Sequence, residues 1–374
     1  MIEFILVGRS TRIAIQVLQA IRSFSDGKCV LMGDGATVSL RRSTLCEEHV
    51  LINLDGVNDE HFVHLVNKRA EKTSEAVLIP FDCAGMRLAD RIRRRLKLNM
   101  IPTPVLETLN MFDDKWTFYK FCVKNSILVP ETRFIGTKHD LNFDAVTTQL
   151  GLPFILKPTG ESGSLGVQII ESQHQFEEKI LNNPNYEFGR LIAQRYIAGA
   201  DMGISLLSVN GRLCSYSIQR PTGTRFDFVA NAYLQEVASK ICQTSGYDGV
   251  MHVDVRLEIE TGKLFLIESN PRFWASLTAS VWCGMNFVAD SINPPSESTE
   301  VKQLTSGTFN TRNPLIWPSS WRSLAFDHGP GGRLLRAKAL DWFTFVNLLS
   351  ELPLMALRLA HRHVGSRFKL LKLK

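Results

Sequence analysis

Glu268, Asn270 and Arg272 alternate along Ile267-Glu268-Ser269-Asn270-Pro271-Arg272, and Asp254 precedes Glu268 by fourteen residues. Two carboxylates, an amide oxygen and a guanidinium suit a hard divalent cation that holds a nucleotide polyphosphate. The flanking residues tell what must position them. Residues 250–259 and 263–267 are apolar, β-branched runs on either side of Thr261-Gly262, so the segment reads as a β-hairpin. A two-residue loop would set Asp254 against Ser269 and turn it away from Glu268. A three-residue loop, Glu260-Thr261-Gly262, sets 254 against 268 and adds Asn270 to that face, with Gly262 at the left-handed position; this is the expectation. Taken alone, the hairpin is as consistent with solvated acids as with a metal site.

A second device lies upstream. Residues 154–157 read as a buried strand that enters Pro158-Thr159-Gly160-Glu161-Ser162-Gly163-Ser164-Leu165-Gly166, followed by another strand over 167–171. Strand, glycine–serine loop, strand differs from the strand–loop–helix of a P-loop, and such a loop can fold over phosphates as a lid. Gly160, Gly163 and Gly166 permit close backbone approach, Ser162 and Ser164 add hydroxyl donors, and Lys157 brings an ammonium. By itself this is a weak signal, since Gly/Ser loops more often merely connect hairpins.

The chain of 374 residues can bury a large core; 44% hydrophobic and 21% charged residues are ordinary for a soluble globular protein. No secretory pattern stands at Met1–Phe4 and no run has the length of a bilayer span, so a cytoplasmic location is expected. Seven scattered cysteines show no zinc-ligand pairing and read as reduced thiols. The net charge of +6 is concentrated from Gly329 onward, where nine lysines and arginines face only Asp341 and Glu351.

The first hundred residues alternate strands (3–7, 29–32, 50–54, 76–79) with helices (13–24, 58–72, 86–98), which predicts a small doubly wound parallel sheet. The turn Gly8-Arg9-Ser10-Thr11-Arg12 has one glycine, which argues against dinucleotide binding and for a scaffolding, substrate-facing role. Prolines 102 and 104 mark a boundary, and Asp113 or Asp114 can cap a helix to about residue 124. Further strands are expected over 191–197 and, around the turn Asn210-Gly211, over 204–209 and 212–219; a helix over 231–245 precedes the acidic hairpin.

The order of these features resembles the ATP-grasp superfamily: Asp114-Lys115, then Lys157 with its glycine loop, then Gln194-Arg195-Tyr196-Ile197-Ala198-Gly199-Ala200-Asp201, then Asp254 with Glu268-Ser269-Asn270-Pro271-Arg272. The likeness covers about 104–287 and is similar to carbamoyl phosphate synthase, biotin carboxylase and D-alanine–D-alanine ligase. It implies a mixed α/β and α+β chain: a preceding α/β domain (1–100), a two-subdomain ATP-grasp fold with antiparallel sheets (101–290, lid about 130–197) and a helical extension (291–374). It also implies roles. Lys115 and Lys157 would hold ATP phosphates under the 160–166 loop. Gln194, Arg195, Tyr196 and Ile197 would line adenine, with Asp201 on the ribose. Asp254, Glu268 and Asn270 would hold one or two Mg²⁺ (or Mn²⁺), and Arg272 would stabilise the transferred phosphoryl group. Gln194 and Asp201 depart from the glutamates frequent at these positions.

The implied activity is ADP-forming ligation of a carboxylate to an amine or thiol through an acyl phosphate. Phosphorylation without ligation and a non-catalytic nucleotide-binding module stay open as alternatives. Outside this pattern, His252 reads as a hydrogen-bonded strand histidine, and Phe273-Trp274 as the start of a packing helix to about residue 283. The apolar stretch 339–360, with Pro353 inside it and a basic end over 362–374, has two readings: a helix pressed on anionic lipid, or a helical pair docked on the protein or on a second subunit. The second is favoured, in keeping with a homodimer, and no nucleic-acid partner is expected.

Overall fold

Runs such as Ile5-Leu6-Val7 and Val30-Leu31-Met32 are fully buried, as central strands covered on both faces must be. In the computed structural model, which describes residues 2–296, 298–316 and 320–346, they lie in a parallel sheet. Its strands are β1 (Ile2–Val7), β2 (Lys28–Gly33), β3 (Glu48–Leu51), β4 (Glu75–Pro80) and β5 (Asn99–Met100), in the order β3-β2-β1-β4-β5. The order reverses between β1 and β4, which leaves a crevice beyond their carboxyl ends, at the Gly8–Arg12 turn and Asp82. Two elements depart from expectation. β3 begins at Glu48, whose carboxylate joins Lys28 (3.4 Å) and Arg69 beside the ladder. The helix expected over 86–98 is Cys83–Ile92: Asp82 caps it early by accepting from the Gly85 amide, and Arg93–Arg95 wind into a 3₁₀ turn.

Four antiparallel strands follow: β6 (Thr132–Gly136), β7 (Phe154–Pro158), β8 (Gln168–Ile170) and β9 (Leu191–Arg195), ordered β6-β9-β7-β8. Period-two alternation sorts their faces. Phe154, Leu156, Leu191 and Ala193 pack with the helix Phe143–Leu150, while Ile155, Lys157 and Gln194 face the opposite way, toward the body of the protein.

The largest sheet runs β14-β13-β10-β11-β12-β16, from β10 (Gly199–Val209), β11 (Arg212–Thr222), β12 (Arg225–Val229), β13 (Gly249–Glu258), β14 (Leu264–Asn270) and β16 (Ser306–Asn310), with β15 (Lys302–Leu304) parallel to β11. Met202, Ile204, Val253, Val255, Leu264 and Leu266 bury one face under the helices Lys115–Lys124 and Ala232–Ser245. The expected packing helix is shorter, Leu277–Trp282; Phe273 and Trp274 are buried in the chain leading into it. From the far end, the helix Pro330–Leu340 delivers Leu334 and Ala337 into the core of the first sheet, beside the helix Thr11–Arg22. No helix among the described residues is long and apolar enough to cross a membrane. The apolar and basic tail expected to be helical lies, from residue 347 on, outside the described residues.

Candidate functional site

The acidic hairpin has the predicted pairing for a different reason. Asp254 stands opposite Glu268 and His252 opposite Asn270, yet Leu257 pairs with Leu264, so the loop is Ile259–Gly262, four residues and not three. A bulge at Ile267 absorbs the difference. Its consequence is chemical. Leu264 and Leu266 face the core, and without the extra residue Glu268 and Asn270 would follow them there. The bulge turns both onto the open face and leaves the Ile267 carbonyl to accept from Lys157 Nζ at 3.4 Å.

Two buried lysines meet these acids from different elements. Asp114 caps the helix Lys115–Lys124 by accepting from the Trp116 and Thr117 amides, and the Lys115 amide donates to the Thr159 carbonyl at 2.9 Å. That bond ties the helix to the end of β7. Lys115 Nζ then reaches Glu268 at 3.3 Å and the Glu161 carbonyl. Lys157 is 3% exposed. Burial, with Lys115 adding repulsion against the attraction of Glu268, pushes its ammonium down to about 8. At Asp254 burial opposes the charge, but His252 and Arg272 outweigh it and hold the carboxyl below the usual range. His252 Nδ1 bonds Ser205 at 2.8 Å and Nε2 lies 3.3 Å from Asp254, the strand histidine expected. Asn270 bridges the centre, donating to Asp254 at 3.1 Å and accepting from Arg272 at 2.8 Å.

Between the lid sheet and the large sheet lies a cleft of about 390 Å³. It gathers Lys157, Ser164, Gln194, Arg195, Tyr196, Ile197, Asp201, Asp254 and Glu268, all named from the sequence. Gln194 is 2% exposed; its amide donates to Thr132 Oγ1 at 2.9 Å, while its Oε1 is buried with no protein partner. Arg195 turns its guanidinium to Glu258 (3.0 Å) and the Phe265 ring, so its backbone serves the cleft. Gly163, Asn270 and Arg272 line an adjoining space of about 670 Å³ that shares Ser164, Asp201, Asp254 and Glu268 with the first. Gly160, Ser162 and Gly166 line neither. Gly166, at φ 72°, instead shapes the loop, its carbonyl accepting from the Tyr186 hydroxyl at 2.7 Å.

Sequence reasoning missed Arg256, which pairs with Asp201 and donates to the Ile197 carbonyl at 3.1 Å. It did not single out Arg12, in the turn expected to face substrate, which lines the larger space from the start of the helix Thr11–Arg22. The register Asp201↔Arg256 joins strands far apart in sequence, and no local pattern carries it.

A family model described as the ATP-grasp domain matches residues 112–276. Those residues are an ATP-grasp domain. The match contains Lys115, the lid sheet, the glycine loop and the whole acidic hairpin. D-alanine–D-alanine ligase of Neisseria meningitidis serogroup A is 26% identical over 162 residues, 38% of this chain and 52% of the relative. The chain thus spans about half the length of that ligase. The arginine-specific carbamoyl phosphate synthase large chain of Bacillus subtilis is 21% identical over 268 residues, 68% of this chain and 25% of the relative. The biotin carboxylase domain of Hydrogenobacter thermophilus 2-oxoglutarate carboxylase, a dimer solved with MgADP, ADP and bicarbonate, shares the fold at TM-score 0.60 and 16% identity, covering 82% of this chain and 73% of that one.

Proposed function

We propose that this chain is an ATP-dependent ligase that activates a carboxylate as an acyl phosphate and joins it to an amine, or to a thiol, releasing ADP and phosphate. The observation that carries it is that Asp254 and Glu268, opposed on paired strands, line both cavities, with Lys115 reaching Glu268 at 3.3 Å from its helix and Lys157 lining the smaller cavity from β7. The nucleotide would occupy the smaller cleft, its base against the backbone of Arg195 and Ile197. The orphaned Gln194 Oε1 is placed to accept from an adenine amino group. Asp201 would have to leave Arg256 to take the ribose hydroxyls.

Two opposed carboxylates fit Mg²⁺, which takes few protein ligands when substrate phosphates complete its shell; Asn270, whose amide nitrogen faces Asp254 and whose oxygen accepts from Arg272, would turn its amide to add an oxygen. Among the described residues no three acidic, histidine or cysteine groups gather to hold a metal on their own. Asp254, Glu268 and Asn270 would hold the ion, which when bound neutralises phosphate charge. The protein's own part is placement. Lys115 and Lys157 neutralise phosphate oxygens, the glycine loop excludes water, and Arg272 stands beside the phosphoryl group as it passes. The bond from the γ-phosphorus to the bridging oxygen breaks toward ADP as one forms to the carboxylate. An amine then attacks the acyl carbon, phosphate leaves and the nitrogen gives up a proton.

Relatives described as D-alanine–D-alanine ligase, and a neighbour solved with MgADP, support this reading. A homodimer is part of the proposal. The test is ADP release across a carboxylate-by-amine panel with hydroxylamine as a trap. Hydroxamate formation is expected; ADP release indifferent to every carboxylate and amine would overturn ligation. Product mass separates ligation from phosphorylation alone.

A further inference from the structure

Resting on the ligase reading, we propose that the carboxylate substrate carries a second anionic group, and that Arg12 binds it. The 670 Å³ space shares Asp254 and Glu268 with the nucleotide cleft, is lined beyond them by Arg272, and has Arg12, an exposed residue in the first turn of the helix Thr11–Arg22, on its wall. Phe226 and Trp274 supply apolar wall. The other charged groups here are already engaged. Asp201 pairs with Arg256, Glu268 with Lys115, Asp254 with His252, and Arg272 donates to Asn270 and to the Phe273 carbonyl. The nearby acids Asp34 and Asp55 are held by Arg9. Among the described residues, no carboxylate forms an ion pair with Arg12. A guanidinium that faces a cavity without a protein anion is suited to a ligand's.

The backbone that carries Arg12 is fixed at both ends. Arg9 and Ser10 amides donate to Asp82 Oδ2 at 2.7 and 2.8 Å, and Asp82 is buried. One turn further on, Gln16 Oε1 accepts from the Thr278 amide at 3.2 Å and its hydroxyl at 2.7 Å. The helices Thr11–Arg22 and Leu277–Trp282 are therefore locked together, and Arg12 keeps its place relative to Ser276 and Arg272 on the same cavity. A carboxyl positioned for phosphorylation beside Arg272 thus faces a second cation, an exposed side chain carried on a fixed stretch of backbone. A monoacid leaves that cation to water; a diacid of fitting length, or a phosphorylated acid, gains a charge-assisted hydrogen bond there.

The experiment is calorimetric titration of acids into the full chain holding Mg²⁺ and a non-hydrolysable ATP analogue. Glutarate, adipate and 4-phosphonobutyrate are compared with valerate and hexanoate; the phosphonate arm tells a phosphate from a carboxylate partner. At least one dianion should bind roughly tenfold or more tighter than its matched monoacid. Arg12→Gln should erase that ratio and Arg12→Lys restore most of it, with melting temperature showing that both fold. Equal binding of monoacids and dianions, a preference that survives Arg12→Gln, or no dianion binding overturns the inference while analogue binding and hydroxamate formation leave the ligase reading standing. Failure of the analogue itself to bind removes both.

Discussion

The end of the acidic hairpin and the glycine loop face the same cleft and are built in opposite ways. Asp254 and Glu268 sit on adjacent strands of a seven-stranded sheet, and Lys115, Lys157 and Ser269 beside them are at most 8% exposed. Ser269 donates to the Phe112 carbonyl at 2.6 Å, so even the residue between the functional ones is bonded into the core. The loop is exposed from Gly160 to Leu165 and holds three left-handed residues, Gly163, Ser164 and Gly166. Its internal backbone bonds are long, 3.4 Å from Leu165 to Ser162 and 3.2 Å from Val167 to Ser164. The charged groups are fixed by sheet packing, while the loop is exposed and loosely bonded, as the closing part of the proposed ligase would need to be.

The comparison breaks most visibly at the rigid half. Glu268→Gln or Asp254→Asn should lower ADP release by about 10²–10³-fold with the melting temperature little changed. A rate near wild type would move the chemistry off the hairpin. Next comes Lys157→Met, expected to weaken binding of the ATP analogue by roughly tenfold or more at pH 7. Lys157 sheds its proton near pH 8, below an ordinary lysine, and the charged form is the one that attracts phosphate. Wild-type affinity should therefore fall as pH rises through 8, and Lys157→Met should flatten that fall; parallel pH profiles would contradict the assignment.

Smaller effects sharpen the loop side. A Cβ at Gly166 would lie 2.7 Å from Phe188 and Pro158, whereas at Gly163 it meets open space. Gly166→Ala should cost about 2 kcal/mol in chemical denaturation and Gly163→Ala about 1 kcal/mol. The reverse order would mean that the loop is not held through Gly166. Least of all, Gln194→Glu should change ATP affinity by no more than about threefold, because it keeps an acceptor at Oε1 and loses one bond to Thr132. A large loss in a competition assay would give the Gln194 amide a direct part in reading the base.

Lys157 and the paired acids were legible because strand alternation is a local property, whereas Lys115 was reached only through the order of features that resembles the ATP-grasp superfamily. The hairpin loop was not legible. A four-residue turn with a bulge at Ile267 and a three-residue turn without one give the same facing of Asp254 and Glu268. The interval of fourteen residues cannot tell them apart, and only the core's demand for Leu264 and Leu266 does. The helix over 86–98 was overextended because Arg93–Arg95 carry no helix-breaking signal. Arg256 and Arg12 are brought to the cavities by strand register and helix docking across the fold, which one sequence does not display.

The packing of the helix Pro330–Leu340 has a practical corollary for dissecting this protein. Leu334 is fully buried, and Ala337 nearly so, in the same cluster as Phe4, Leu6 and Leu18, and Asp341 accepts from Ser43 and Thr44, each at 2.8 Å. The opening sheet borrows its cover from the far end of the polypeptide, so a fragment ending near residue 100 would bare its apolar underside and aggregate. Any deletion meant to interrogate the basic tail has to stop at residue 347, since a cut after Gly332 would unroof the very sheet that presents Arg12.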